Sequence, residues 1–334
     1  MAVAWGNSTD LPLFAKGAKA ACARAGFEKR SAKASASGTT VSMDIRAILM
    51  GLAFALMWSS AFTSARIIVA DASPLAALTV RYLISGLLSV AIARMLGQSW
   101  HLTPAQWRAT IIFGVLQNAV YLGLNFVAMQ TIEASVAAII ASTMPLLVAL
   151  ATWVIFGERL RPLGIAGLIA GIIGVAIIMG ARITGGIDPF GLLLCCIGVV
   201  ALTIATLSVR GATSGGNYLM IVGLQMLVGC AALAIATAIF ETPRVTPSWP
   251  LLAAFTYTTL VPGLAATFVW FWLVNRIGAT RAATFHFINP FFGVATAALL
   301  LGEPLGTQDV IGVAIITAGI LAVQLSRQRK AQDA

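Results

Sequence analysis

Charge is what this sequence has least of. In 334 residues there are 11 Asp and Glu and 21 Lys and Arg, so charged residues make up 10% of the chain against 59% hydrophobic. A soluble domain carries about a quarter. At a tenth, no water-facing shell can be built, and with a mean hydropathy of +0.94 the chain reads as an integral membrane protein. Histidine is almost absent: His101 and His286 are too few and too far apart for a metal site. The four cysteines, Cys22, Cys195, Cys196 and Cys230, have neither metal-binding nor redox spacing, and the three in apolar runs are expected to pack. No Gly-rich loop is followed by Lys, so the phosphate cradle of an ATP-driven pump is missing, and no cofactor is expected. No acidic residue sits in the middle of an apolar run, which argues against a carboxylate proton carrier. Nor is there a ring-forming acidic set or a filter-like run of the kind that ion channels use. The net charge of +10 would suggest nucleic acid in a soluble chain; here it is first a topology signal, and no nucleic-acid partner is expected.

What the chain has in quantity is apolar length. Crossing the hydrocarbon takes about 20 residues of helix. Ten windows qualify: Ile45–Ala70, Leu75–Leu96, Trp107–Gln130, Ser135–Phe156, Leu163–Ala181, Phe190–Val209, Tyr218–Phe240, Leu251–Val274, Ala282–Leu301 and Gln308–Leu325. Residues 1–42 stand apart, basic and then Ser/Ala/Gly/Thr-rich, with no continuous apolar core of signal-peptide length. They read as a disordered cytoplasmic tail, or as sequence upstream of a true start at Met43. The last residues, 327–334, read as a short cytoplasmic tail.

The chain also repeats itself. Ala134–Ile178, moved forward by 145 positions, lies over Ala279–Val323 without a gap. Pro145 falls on Pro290, Gly157-Glu158 on Gly302-Glu303, Leu160 on Leu305, Gly167 on Gly312 and Gly174 on Gly319. At an offset of 144 the first helix meets the sixth: Ala61, Ser64 and Arg66 fall on Ala205, Ser208 and Arg210. The offset spans five helices. Five is odd, so the second copy must be inverted relative to the first, with repeat boundaries expected at 43–183 and 184–326. Inverted repeats are an architecture of secondary transporters, whose substrate site lies near the midplane between the halves.

Positive charge orients the assembly. With the N-terminus inside, the tail, Arg46, Arg94, Arg108, Arg159, Arg161, Arg210, Arg276, Arg281, Arg327, Arg329 and Lys330 are cytoplasmic, and only Arg66, Arg182 and Arg244 are outside. The positive-inside rule therefore places both termini in the cytoplasm.

These features carry a resemblance. Two five-helix repeats, a first helix with Trp58-Ser-Ser-Ala-Phe, Arg81 after Pro74 in the second, and GERL (157–160) and GEPL (302–305) ending the fourth and ninth together resemble an EamA-type member of the drug/metabolite transporter superfamily, over about Ile45 to Arg327. The resemblance implies an all-α membrane protein with ten helices around a central cavity. It also implies alternating access and export of small metabolites, such as amino acids or drug-like solutes, across the cell inner membrane. The second half lacks counterparts of the Trp58 motif and of Arg81, so an asymmetric cavity is expected.

Polar groups inside the apolar runs mark the candidate site. Arg81 lies about two turns into the second helix, where an unpaired charge costs several kcal/mol; it is read either as a contact for a substrate carboxylate or gate, or as a structural or snorkelling Arg. Gln117, Asn118, Tyr121 and Asn125 follow i, i+1, i+4, i+8, one face of an α-helix, which is expected to line the cavity or to bond a neighbouring helix. His286 and Asn289 share a face just before Pro290, whose missing N–H frees the carbonyl of His286. Pro145 does the same in the fourth helix, and the two prolines are candidate hinges. His286 is a candidate for proton coupling, weighed against a plain hydrogen-bonding role. Trp58, Trp270 and Trp272 lie away from the interface belts, and the first two are candidates for an aromatic wall. Glu158 and Glu303, at helix ends, are expected to anchor the helices that follow them. Gly164, Gly167, Gly171 and Gly174 form a ridge for close packing.

A secondary transporter of small organic solutes is the function these features favour. The expected partners are a small-molecule substrate and the bilayer, with a proton as candidate coupling or exchanged ion and a second copy as candidate homodimer partner. The alternative is a multispanning enzyme acting on lipid-linked substrates. It would need His/Asp/Glu clusters at midplane or interface, and the sequence has none.

Overall fold

In the computed structural model, residues 45–158, 160–209 and 216–332 are described. The expected tail over 1–42, Arg159, Arg210 and the terminus beyond 332 lie outside them.

Among the described residues, ten helices have the length and composition to cross a membrane. They are α1 (Ile45–Asp71), α2 (Pro74–Met95), α3 (Pro104–Ala128), α4 (Ala134–Phe156), α5 (Pro162–Gly180), α6 (Pro189–Ser208), α7 (Tyr218–Phe240), α8 (Trp249–Ile277), α9 (Arg281–Leu301) and α10 (Thr307–Ser326). Proline opens many of them, at a position where its missing N–H costs nothing. Exposed Leu87, Ile172, Ile204 and Leu299 show the outward faces to be apolar.

The helices pair as an inverted duplication requires. α5 packs along α10 and α2 along α7, and these are the two most extensive contacts in the molecule. α1 packs on α8 and α9 as α6 packs on α3 and α4. Small residues set the close approaches. A Cβ on Gly319 would fall 2.6 Å from the Gly167 carbonyl oxygen, and one on Gly167 would fall 2.6 Å from that of Gly319. The glycine ridge of α5 thus meets a matching ridge of α10, backbone against backbone. The duplicated Gly-Glu pair has a backbone reason as well. α4 and α9 both end on a left-handed glycine, Gly157 (φ 65°) and Gly302 (φ 67°), a conformation that a side chain would strain.

Four helices are broken near mid-membrane, as two symmetry-related pairs. α3 widens into a π-helical stretch over Gly114–Tyr121, and its counterpart α8 does so over Val261–Ala265. α4 breaks at Thr143, before Met144 and Pro145. α9 passes through a 3₁₀ turn, Phe285–Ile288, before Asn289 and Pro290. The His286 carbonyl expected to be freed by Pro290 is taken up inside that turn by the Asn289 N–H.

Both ends of the described chain lie on one side, here the terminal face. The opposite, distal face is tied together across the repeats. Glu303 accepts from the N–H groups of Ala134 (2.7 Å) and Ser135 (3.0 Å), capping α4. This corrects the expectation that Glu303 anchors the following helix: its carboxylate crosses to the other repeat, to the positive end of α4. Glu241 caps α2 in the same way, at Leu75 and Ala76 (both 3.0 Å). Its counterpart on the terminal face is Gln98, which accepts from Met220 N–H of α7 (3.0 Å). Arg182 pairs with Glu133 and, at 3.0 Å, with Asp309. Ala72 and Val245 form an isolated antiparallel bridge.

Candidate functional site

The broken helices surround a cavity of ≈ 140 Å³ between the repeats. Of the residues singled out from the sequence, Trp58, Arg81, Gln117, Asn118, Tyr121, Pro145, Trp270, His286 and Asn289 line it. Asn125 and Pro290 are not among its lining residues. Trp272 faces outward, 64% exposed.

Asn125 departs from the expected stripe for a physical reason. The i, i+1, i+4, i+8 pattern assumes 3.6 residues per turn, but the π stretch over Gly114–Tyr121 advances about one residue more per turn. Everything after it is rotated away from the face the sequence suggested. Asn125 is instead packed against Gly198 of α6, where a Cβ would meet its Nδ2 at 2.8 Å. Its amide is satisfied there: Nδ2 donates to the Tyr121 carbonyl (2.8 Å) and Oδ1 accepts from the Cys195 thiol (3.4 Å).

Eight pairs of lining positions follow the duplication. At the offsets found in the sequence, Trp58 pairs with Leu202, Phe62 with Thr206, Arg81 with Met226, Gln117 with Pro262 and Asn118 with Gly263. Leu122 pairs with Thr267, Ala141 with His286 and Met144 with Asn289, and all sixteen residues line the cavity. The scaffold is therefore symmetric and its chemistry is not. Phe62 and Thr206 set an aromatic ring against a hydroxyl; in each of the other pairs one repeat supplies a polar or aromatic group and the other a small or apolar one. The expected asymmetry is thus located residue by residue.

The other lining residues, among them Tyr82, Tyr121, Ser142 and Pro145, have counterparts outside the cavity. Phe54 and Trp270 line the cavity, rings 4.8 Å apart, and their counterparts are Gly198 and Asn125, which pack on each other outside it. At the level of Phe54 and Trp270 the cavity extends toward the terminal side, and the cross-repeat ties of Glu303, Glu241 and Arg182 lie at the distal face.

Two groups of side chains give the cavity its character. On one wall, Arg81 is buried, 6% exposed, with its guanidinium 5.2 Å from the Tyr82 ring centroid. Its Nε has no hydrogen-bond partner among the described residues. Burial inside the bundle rules out the snorkelling alternative. Gly263, in the π stretch of α8, lies beside it: a Cβ there would be in ordinary contact with Nη2 at 3.6 Å and with Ser85 Oγ at 3.5 Å. On the other wall, Phe54, Trp58 and Trp270 surround His286, with ring centroids 5.3 to 6.4 Å from it. Asn289 Nδ2 donates to His286 Nδ1 (2.9 Å), which assigns the imidazole proton to Nε2. His286 Nε2 and Asn289 Oδ1 are buried and have no partner among the described residues. Buried polar atoms are nearly always bonded, so a cavity that gathers several unpartnered ones is built to bond something polar. Asn118 by contrast is used structurally, Nδ2 donating to the Gln225 carbonyl at 2.9 Å.

The sequence reading missed Phe54, Tyr82, Gln225 and Gly263. Gln225 was visible as a lone amide in the α7 run, and Pro262-Gly263 as a break inside α8; Phe54 and Tyr82 carried no signal beyond being apolar. Among the described residues no group of three or more His, Cys, Asp or Glu could hold a metal ion.

The comparisons with known proteins agree with this architecture. The EamA-like transporter family matches the chain twice, over residues 45–180 and 189–325. The chain belongs to the EamA-like transporter family. Similar curated proteins include the uncharacterized transporter YvbV of Bacillus subtilis, 26% identical over 282 residues, covering 84% of this chain and 91% of the relative. The uncharacterized inner membrane transporter YedA of Escherichia coli is 27% identical over 289 residues, with the same coverage. A solved crystal structure shares the fold with a TM-score of 0.59 at 20% identity, covering 84% of this chain and 97% of that one. As an EamA-like protein with ten apolar helices, the chain is a membrane transporter.

Proposed function

We propose that this EamA-like protein is a secondary exporter of small organic metabolites, working by alternating access in the plasma membrane with both termini cytoplasmic. The observation that carries this reading is the paired lining of the cavity. One site sits between two inverted repeats, at breaks in four helices, with cross-repeat ties at the distal face. Rocking one repeat on the other exchanges the open and shut sides while the site stays in place. The transporter names of the relatives support a non-enzymatic role. With the positive-rich loops inside, the terminal face is the cytoplasmic one, the side from which an exporter loads.

The test is solute efflux from proteoliposomes, with and without a pH gradient, beside reporter fusions. A fusion after Ala334 and one in the Arg161 loop are expected to read cytoplasmic and one at Gly306 external. A cytoplasmic reading at Gly306 would overturn the orientation. Efflux insensitive to the gradient would remove the proton as coupling ion, and the mass of the solubilised particle reports whether the chain forms a homodimer.

A further inference from the structure

The cavity holds one buried cation and no carboxylate. Arg81 is 6% exposed, and no Asp or Glu is among the residues lining the space it faces. The ion pairs of Glu133 and Asp309 belong to the distal face and are made with Arg182. A guanidinium does not give up its proton inside a protein, and an unpaired charge at membrane depth costs several kcal/mol. Natural bundles hold such a charge against a carboxylate or a set of carbonyls. Among the described residues Nε has neither, and the guanidinium lies 5.2 Å from the centroid of the Tyr82 ring. Its counterpart in the other repeat is Met226, so the charge is not half of a symmetric packing device. The wall that completes the cavity is aromatic: Phe54, Trp58 and Trp270 around His286. The space is ≈ 140 Å³, close to the roughly 150 Å³ of an engineered cavity that takes up benzene.

We propose that the substrate is a small organic monocarboxylate with a single compact apolar or one-ring body. Its carboxylate would lie on the Arg81 guanidinium and its body between Phe54, Trp58 and Trp270. This rests on the transport reading above and adds the charge and size of what is carried. A carboxylate matches the planar fork of Arg and supplies the charge that the cavity lacks. A cation would meet Arg81 with no acidic group to offset the repulsion, so the site rejects amines by charge. The unpartnered Asn289 Oδ1 and His286 Nε2 remain for one further polar group on the body.

The experiment uses the full chain, purified and reconstituted, and an isosteric series: phenylacetate, phenylacetamide and phenethylamine. Equilibrium binding is measured by calorimetry and efflux by counting label. Phenylacetate is expected to bind at least ~10-fold more tightly than the amide and the amine not to bind. Arg81→Lys is expected to weaken phenylacetate while keeping the preference, and Arg81→Gln to abolish the preference while the amide binds as before. Where Arg81→Gln fails to fold, the series on the unaltered protein decides alone. Amine or amide binding equal to that of the acid overturns the proposal and leaves the transport reading standing. So does movement of other solutes with none of the three bound. If no solute of any class is moved, the transport reading falls and this proposal with it.

Discussion

At the residue scale, a polar side chain in a membrane helix declares that it faces protein or water and no more than that. Gln117, Asn118, Tyr121 and Asn125 all announced themselves, yet the structure gives them different uses. Asn118 lines the cavity while bonding the α7 backbone, and Asn125 is locked against α6. A thiol test separates them. In a background without native cysteines, cysteines at Gln117 and Tyr121 should react with a water-soluble reagent and be protected by substrate. One at Asn125 should react at least about tenfold more slowly, because Gly198 leaves no room beside it. Equal rates would mean that the π stretch does not turn the helix as described. A second residue-scale prediction concerns Asp188, which caps α6 outside the membrane span. The Thr131 hydroxyl (2.6 Å), followed by the N–H groups of Gly191 and Phe190, holds its carboxyl below the usual carboxylate range. A folded-state value below the unfolded one favours the charged form in the native protein. The contribution to stability is therefore complete above the ordinary Asp value and is lost as pH falls through the lowered one. Asp188→Asn should lower the neutral plateau toward the acid value, and so flatten the acid limb of the melting-temperature profile, while leaving the acid end nearly unmoved. A profile of unchanged shape would show the cap to be thermodynamically idle.

At the element scale, helix number, spans and the inverted pairing were legible because each rests on a bulk property: apolar length, odd repeat offset, glycine spacing. The breaks were legible only where proline marks them. Pro145 and Pro290 pointed to α4 and α9, whereas the π stretch of α3 contains no proline and forms through packing. The cross-repeat caps were also hidden, since Glu303 and Ala134 meet only after folding. The caps lead to an element-scale prediction. Glu303 closes α4 at the distal face, and Glu158 holds the corresponding place in the duplication. Glu158 is expected to serve α9 at the terminal face when that face is shut. Glu303→Gln should then favour opening at the distal face, and Glu158→Gln should favour opening at the terminal face. Reactivity of single cysteines at the two mouths, with native cysteines removed, reports the balance. Shifts of the same sign in both variants would show that the two carboxylates do not oppose one another.

At the scale of the whole molecule, the two repeats carry the same design in two different conformations. Asn125 of repeat 1 is lodged against Gly198 of repeat 2; the equivalent Trp270 of repeat 2 and Phe54 of repeat 1 are turned into the cavity. Repeat 2 has a 3₁₀ turn at 285–288, where repeat 1, at the same offset, has ordinary helix to Ser142 and a break at Thr143. If the transport cycle exchanges these roles, each half is a template for the other half's next position. The opposite-facing state then follows by letting residues 140–143 tighten, residues 285–288 relax, Asn125 turn inward and Trp270 turn away. The duplication thereby makes the unseen state a matter of transposition. It also gives Asn125 a part that a single conformation conceals, as a contact offered to the substrate only when the molecule faces the other way. A cysteine at Asn125 that stays protected in Glu303→Gln protein, once that protein is open at the distal face, would break this correspondence.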